Sequence, residues 1–296
     1  MSQGNSNGSV YLLIDNGMLD EVSASYAEDA PESRPAWLAP IYPERALAVS
    51  PLLVDLEAAY EGGDLDRVTY FVNARKPALH VSVIESALDI RQLAHHLSRF
   101  IFILDPQGKQ FTLRYADCAV LAPLSELLTP VQWATMRAPV ARWHIHHRSG
   151  ALVPLPPAEA TAVAPTPLCL GQDQLLALDE ASEPDHVIAK VNMMRNGEAL
   201  PGNAVEQHEW AQAARRAWRA AGNAHPPILM FLTEAALLTR GAILRRQKVA
   251  ELLATNEVSV FRTKLRKLVD DLQARRSWAS QGATAGDDSN AVPIVI

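Results

Sequence analysis

DIRQLAHHLSRFIFILDPQGKQFTLRYAD, residues 89–117, carries three structural signals in one run. Asp89 and Gln92 stand at capping-box spacing, with Asp in the place of Ser or Thr, and Ile90, Leu93, Ala94 and Leu97 repeat on one helical face, which predicts a helix over Asp89–Arg99. Phe100–Leu104, the turn residues Asp105-Pro106-Gln107-Gly108 and then Gln110–Tyr115 predict a β-hairpin, because the turn residues preset the backbone angles it needs. Asp117 is placed to cap a further short helix in which Val120, Leu121, Leu124 and Leu128 share a face, kinked or restarted at Pro123. Helical and strand periods alternate over this span, so the expected fold is an α/β (α+β) lobe with a mixed sheet.

Working outward, Tyr11-Leu12-Leu13-Ile14 is an apolar run ended by Asp15-Asn16-Gly17, a buried strand leading into a turn. A helical stretch follows at Met18–Tyr26, then an extended segment at Trp37–Tyr42. Next come a short helix over Leu52–Tyr60 closed by Gly62-Gly63, and strands at Val68–Val72 and Leu79–Ile84. Downstream, Trp143–Arg148 and Ala151–Leu155 flank Ser149-Gly150 as a second hairpin. A Pro/Ala tract, Val153–Pro167, separates this region from one with helical periodicity. There Trp210, Ala213, Ala214, Ala217, Trp218 and Ala221 share a face, Ile228–Leu238 is apolar nearly all round, and Phe261, Leu265, Leu268, Val269 and Leu272 form a last apolar stripe. The expected organisation is a disordered N-terminus over 1–9, the α/β lobe over 10–155, a Pro/Ala linker over 156–170, an all-helical C-terminal lobe over 171–276 and a disordered tail over 277–296.

A chain of 296 residues with 48% hydrophobic and 20% charged residues can bury a substantial core. The N-terminus has no basic segment followed by an apolar one, and Ile228–Leu232, followed closely by Glu234, is far shorter than the ~20 residues a membrane span requires. A cytoplasmic chain without stable membrane insertion is expected. Cys118 and Cys169 lack ligand-like spacing and read as small buried hydrophobes in a reducing compartment. The net charge is −6, yet Arg240–Arg276 holds ten Lys or Arg against Glu251, Glu257, Asp270 and Asp271. That basic stripe reads as a solvated helix face or a protein contact; no nucleic-acid fold signature accompanies it, so no nucleic-acid partner is expected.

A search for chemistry finds no glycine-rich phosphate loop, no G-x-S-x-G elbow and no paired C-x-x-C. His208-Glu209 opens like a zinc-protease motif, but Gln212 stands where the second histidine would be. His144 and His146 point to one face of their strand and could share an ion, although two ligands do not make a site. Arg114 and Asp117 fit a structural ion pair at a strand-to-helix corner better than an acid/base cluster. Trp210 and Trp218 are open to two readings, core or interface anchor. No cofactor, no metal and no catalytic residue are assigned.

The order of these motifs resembles the type VI secretion effector-chaperone, or adaptor, family. The resemblance is carried by Tyr11–Asp15, Ser86-Ala87-Leu88 with its following helix, Leu113-Arg114-Tyr115-Ala116-Asp117, and Ala138-Pro139-Val140 with Trp143, and covers about residues 10–155. Ala116 departs from the family's aromatic, Cys118 from its proline, and Arg137-Ala138-Pro139 from its phenylalanine-glycine-proline pattern. The resemblance implies a non-enzymatic loader that holds the N-terminal region of a cognate effector, keeps it soluble and delivers it to the valine-glycine repeat spike protein. Cargo is expected in a groove between the lobes, with Trp143, His144, His146, Trp210, Ala214 and Trp218 as contact residues and Arg114, Tyr115 and Asp117 as a structural motif. The alternatives are a metal-assisted hydrolase using His144 and His146, and nucleic-acid binding through Arg240–Arg276.

Overall fold

Tyr11, Leu12, Leu13 and Ile14 are all buried, because strand β1 (Ser9–Ile14) has apolar layers on both sides. The computed structural model describes residues 8–19, 34–42, 44–196, 198–255 and 257–284. Along the first part of the chain run β1, β2 (Leu38–Pro40), β3 (Leu52–Asp55), helices α1 (Leu56–Glu61) and α2 (Leu65–Asn73), and β4 (Val81–Ser86). Helix α3 (Ile90–Ser98), β5 (Phe102–Leu104), β6 (Gln110–Thr112), α4 (Cys118–Leu127), α5 (Pro130–Arg137), β7 (Val140–His146), β8 (Leu152–Pro154) and β9 (Leu168–Cys169) follow.

Six strands form one sheet in the order β2-β3-β1-β4-β7-β8, with every pairing antiparallel. Because side chains alternate across a strand, Tyr11 and Leu13 join Leu53, Ile84, Trp143 and Ile145 on one face, packed against α3, α4 and α5. Leu12 and Ile14 join Leu52, Val54 and Val81 on the other, packed against Ala59 of α1 and Val68 and Phe71 of α2. Burial on both faces is why β1 reads as an unbroken apolar run. The mixed sheet is the smaller one, β6-β5-β9, in which β5 pairs antiparallel with β6 and parallel with β9.

Helix α3 starts with the expected capping box, Asp89 and Gln92, and both predicted hairpins form, β5–β6 and β7–β8. Two local expectations change. Leu52–Tyr60 is a strand followed by a helix: Asp55 accepts the Ala58 N–H at 3.0 Å, so the helix begins only there and Leu52–Val54 pair in the sheet. Val68–Val72 lies in α2, where Val68 and Phe71 are buried at i, i+3 while Thr69 and Tyr70 face outward. The helix expected over Met18–Tyr26 lies, from residue 20 on, outside the described residues.

The Pro/Ala tract belongs to the first unit. Trp133 Nε1 and Arg137 Nη1 both donate to Pro156 O, Ala164 N donates to Thr135 Oγ1 at 2.7 Å, and Leu168 and Leu170 are buried in the same core as Trp143. The chain divides into two compact units at 182/183, inside helix α6 (Gln172–Met194) and next to its Pro184. The sequence boundary over 156–170 is therefore set too early, because a tract without periodicity can still be pinned by its carbonyls and its flanking leucines.

Beyond Cys169 the described residues contain no strand, as expected. The second unit packs α7 (Ala204–Ala220), α9 (Gln247–Leu253) and α10 (Val258–Thr284) with α8 (Pro226–Leu238), whose Ile228, Leu229, Leu232, Ala236 and Leu237 are buried on several sides. Helix α10 continues to Thr284, past the expected end at Arg276; residues 285–296 lie outside the described residues.

Candidate functional site

The Leu113–Asp117 motif makes a corner whose three polar residues secure three different elements. Arg114 Nη2 donates to Asp15 Oδ2 at 2.7 Å, at the end of β1, and Asp15 Oδ1 accepts the Gly17 N–H at 3.0 Å. The Tyr115 hydroxyl, fully buried, donates to Leu97 O of α3 at 2.9 Å. Asp117 Oδ1 accepts the Ala119 N–H at 2.8 Å and so caps α4. Arg114 thus pairs with Asp15, where an ion pair with Asp117 was expected. Sequence reading missed that Arg114 closes on Asp15; the available signal was a carboxylate placed directly after a wholly apolar strand.

Beside this pair lies a hollow of about 270 Å³ lined by Tyr42, Val49, Pro51, Thr112, Arg114 and Ala116. Burial acts to lower the Arg114 pKa, but the Asp15 carboxylate, with Asp117 and Tyr42, outweighs it and holds the guanidinium above its usual value. Burial, then Asp15, raises the Tyr42 phenol, while Arg114 opposes them. Both groups therefore stay in their ordinary protonation states at neutral pH, offering donors but no base. Cys118 is equally unsuited to nucleophilic work: burial pushes its thiol up to about 12, and Sγ donates to Val81 O at 3.2 Å.

His144 and His146 do share the face of β7 opposite the buried Trp143 and Ile145. His146 Nδ1 is 2.8 Å from Val81 O, and because a carbonyl only accepts, that nitrogen carries the proton. No group of three His, Cys, Asp or Glu among the described residues is placed to hold a metal ion. The more unusual imidazole is one the sequence reading passed over: His80 is 0% exposed, donates from Nε2 to Phe71 O at 2.8 Å and leaves Nδ1 buried with no hydrogen-bond partner.

The remaining expected contact residues are placed as follows. Trp143 is 1% exposed and donates from Nε1 to Ser82 Oγ at 3.0 Å across the sheet. Trp218 is 8% exposed and donates to Asn223 Oδ1 at 3.1 Å, while Asn223 Nδ2 donates to Leu253 O at 2.9 Å. Ala214 is fully buried. These three side chains, expected as cargo contacts with core as the alternative, are buried within their own units, and a large indole whose single donor is satisfied internally contributes by packing. Trp210 is half-buried, its ring close to Gly202 and Gly241, so it too packs largely within its unit.

Residues 10–135 match the family described as Domain of unknown function (DUF4123). No curated protein and no solved structure matches the chain. No helix among the described residues is long and apolar enough to cross a membrane.

Proposed function

We propose that this protein is a cytoplasmic chaperone or adaptor that binds the N-terminal region of a type VI secretion effector, keeps it soluble and loads it onto the valine-glycine repeat spike protein. The observation that carries the reading is a coincidence of span. The motif order that resembles the effector-chaperone family occupies about residues 10–155, and the domain match covers residues 10–135 of that span. The residues carrying the resemblance also have consistent physical work, since Arg114, Tyr115 and Asp117 join β1, α3 and α4 at one corner.

The test is capture from the native host with the full chain, with the bound proteins identified by mass spectrometry and co-expression used to measure effector solubility. Recovery of a toxic effector encoded beside a spike gene, soluble only in the presence of this chain, is the expected result. Stoichiometric zinc or iron in untagged protein, lost in the double variant His144→Ala with His146→Ala, would instead favour the metal-assisted hydrolase.

A further inference from the structure

Helix α10 carries a groove within the second unit. The groove lies between α10, from Arg262 to Gln273, and Phe231, Glu234, Ala235 and Leu238 of α8, a span of about 16 Å at the helical rise. A shallower hollow on the outer side of α10, between exposed side chains of that helix alone, adjoins it at Arg262, Arg266 and Asp270 and adds Lys267. The groove, of about 310 Å³, has an apolar floor: Phe231 and Leu238 of α8, partly exposed, beside the buried Leu265 and Val269 of α10. The Arg262 guanidinium sits 5.0 Å from the centre of the Phe231 ring, which holds one cation at the edge of that floor.

The charges around the groove do not balance. Glu234 lies 3.7 Å from Arg195, which also holds Glu198 at 2.5 Å, so that carboxylate is engaged. Arg262, Arg266 and Lys267 are exposed and make no ion pair among the described residues, and the carboxylate that shares the groove with them is Asp270. An apolar floor with an excess of unpaired cations on its rim is complementary to a surface that is apolar along one stripe and acidic beside it.

We infer that this groove binds an acidic amphipathic helix of a partner protein, its apolar stripe on Phe231 and Leu238 and its carboxylates on Arg262, Arg266 and Lys267. A groove of this length takes about three helical turns. Nucleic acid fits it less well: a phosphate backbone needs a continuous cationic track, whereas Glu234 and Asp270 interrupt this one and its floor is hydrocarbon. Only the identification of the helix as part of a cargo rests on the loading proposal; the groove is read by its own titration, so either can fail without the other.

The experiment is fluorescence anisotropy with the full chain and a labelled peptide of about 18 residues, leucines at helical spacing on one face and glutamates elsewhere. A scrambled peptide of the same composition and a labelled single-stranded oligodeoxynucleotide are the comparisons. Arg262→Glu with Arg266→Glu is expected to weaken patterned-peptide binding by about tenfold or more, and Phe231→Ala in the same direction. Lys264→Glu, one charge reversal where the double variant makes two, lies at an exposed position that lines neither hollow, and is expected to leave affinity within about twofold. No binding, equal binding of the scrambled peptide, or an equal loss in Lys264→Glu would overturn the inference. Tighter binding of the oligonucleotide, lost in the double variant, would overturn it in favour of a nucleic-acid surface. Circular dichroism of the variants separates these outcomes from unfolding.

Discussion

Arg114 and Asp15 lie 99 positions apart in the chain, yet their side chains meet at 2.7 Å, one half in solvent and the other almost wholly removed from it. That imbalance makes the two truncations unequal. Arg114→Ala strands a carboxylate that is 5% exposed, with the Gly17 N–H as its remaining donor in the corner, and is expected to cost about 2 to 4 kcal/mol. Asp15→Asn keeps an acceptor and leaves a guanidinium that water can reach and screen, so about 1 kcal/mol is expected. Urea unfolding of both variants checks the order; equal losses would contradict it.

The same corner separates Asp117 from Arg114 in kind. Asp117 caps α4, so Asp117→Ala should cost about 1 kcal/mol, the range of a lost N-cap, and Asp117→Asn or Asp117→Ser should recover most of it. Thermal melts of the three variants are sufficient, and a failure of Asn and Ser to rescue would show that the carboxylate charge, not the cap, is what matters there.

His80 and His96 make stability fall in mild acid. Burial lowers both pKa values below the usual 6.5, against a backbone hydrogen bond that raises each. Below 6.5 the unfolded chain therefore binds protons that the folded chain refuses, and unfolding free energy declines as pH drops from that value towards the folded pKa values. The urea midpoint is expected to fall between about pH 7 and pH 5, and His80→Gln, which keeps a donor for Phe71 O, should flatten part of that slope. An unchanged slope in the variant would remove His80 from the account.

Trp143→Ala and Trp218→Ala should each lower stability by about 3 to 5 kcal/mol, because each removes a buried indole and leaves a cavity. Any loss of cargo binding in these variants should track the loss of fold. Melting curves measured beside binding decide this: a variant that melts normally and stops binding would restore the anchor role.

Gly202→Ala is expected to be destabilising by about 1 to 3 kcal/mol. The residue has φ +80, and an added Cβ would stand 2.6 Å from Cη2 of Trp210. Denaturant unfolding measures the loss, and combining the change with Trp210→Leu should recover the part that comes from the collision.

What was legible in the sequence was local chemistry repeated at a fixed spacing. The Asp89–Gln92 capping box, the Asp105–Gly108 turn and the all-round apolarity of α8 each state their structure within a few residues. Val68–Val72 misled because two buried residues in a short apolar run satisfy helix and strand equally, and only Asp64 and Asp66 upstream hint at a helix start. For the Asp15–Arg114 pair, the carboxylate placed directly after an apolar strand marks one buried charge, but nothing local to either residue encodes its partner. The buried state of Trp143 and Trp218 was open for a related reason, since an indole at a periodic position suits a core and an interface alike.

The attachment of residues 156–170 to the first unit changes what a cut in the chain would do. The exposed stretch around Val163 is open to a protease, but Pro156 on one side and Leu168 and Leu170 on the other are held by the same core. Nicking there would leave two fragments clasped in one folded body, and a first unit expressed alone would need to continue past Leu170 to Ser182, or its β5 strand would lose its parallel neighbour and the sheet would gain a raw edge.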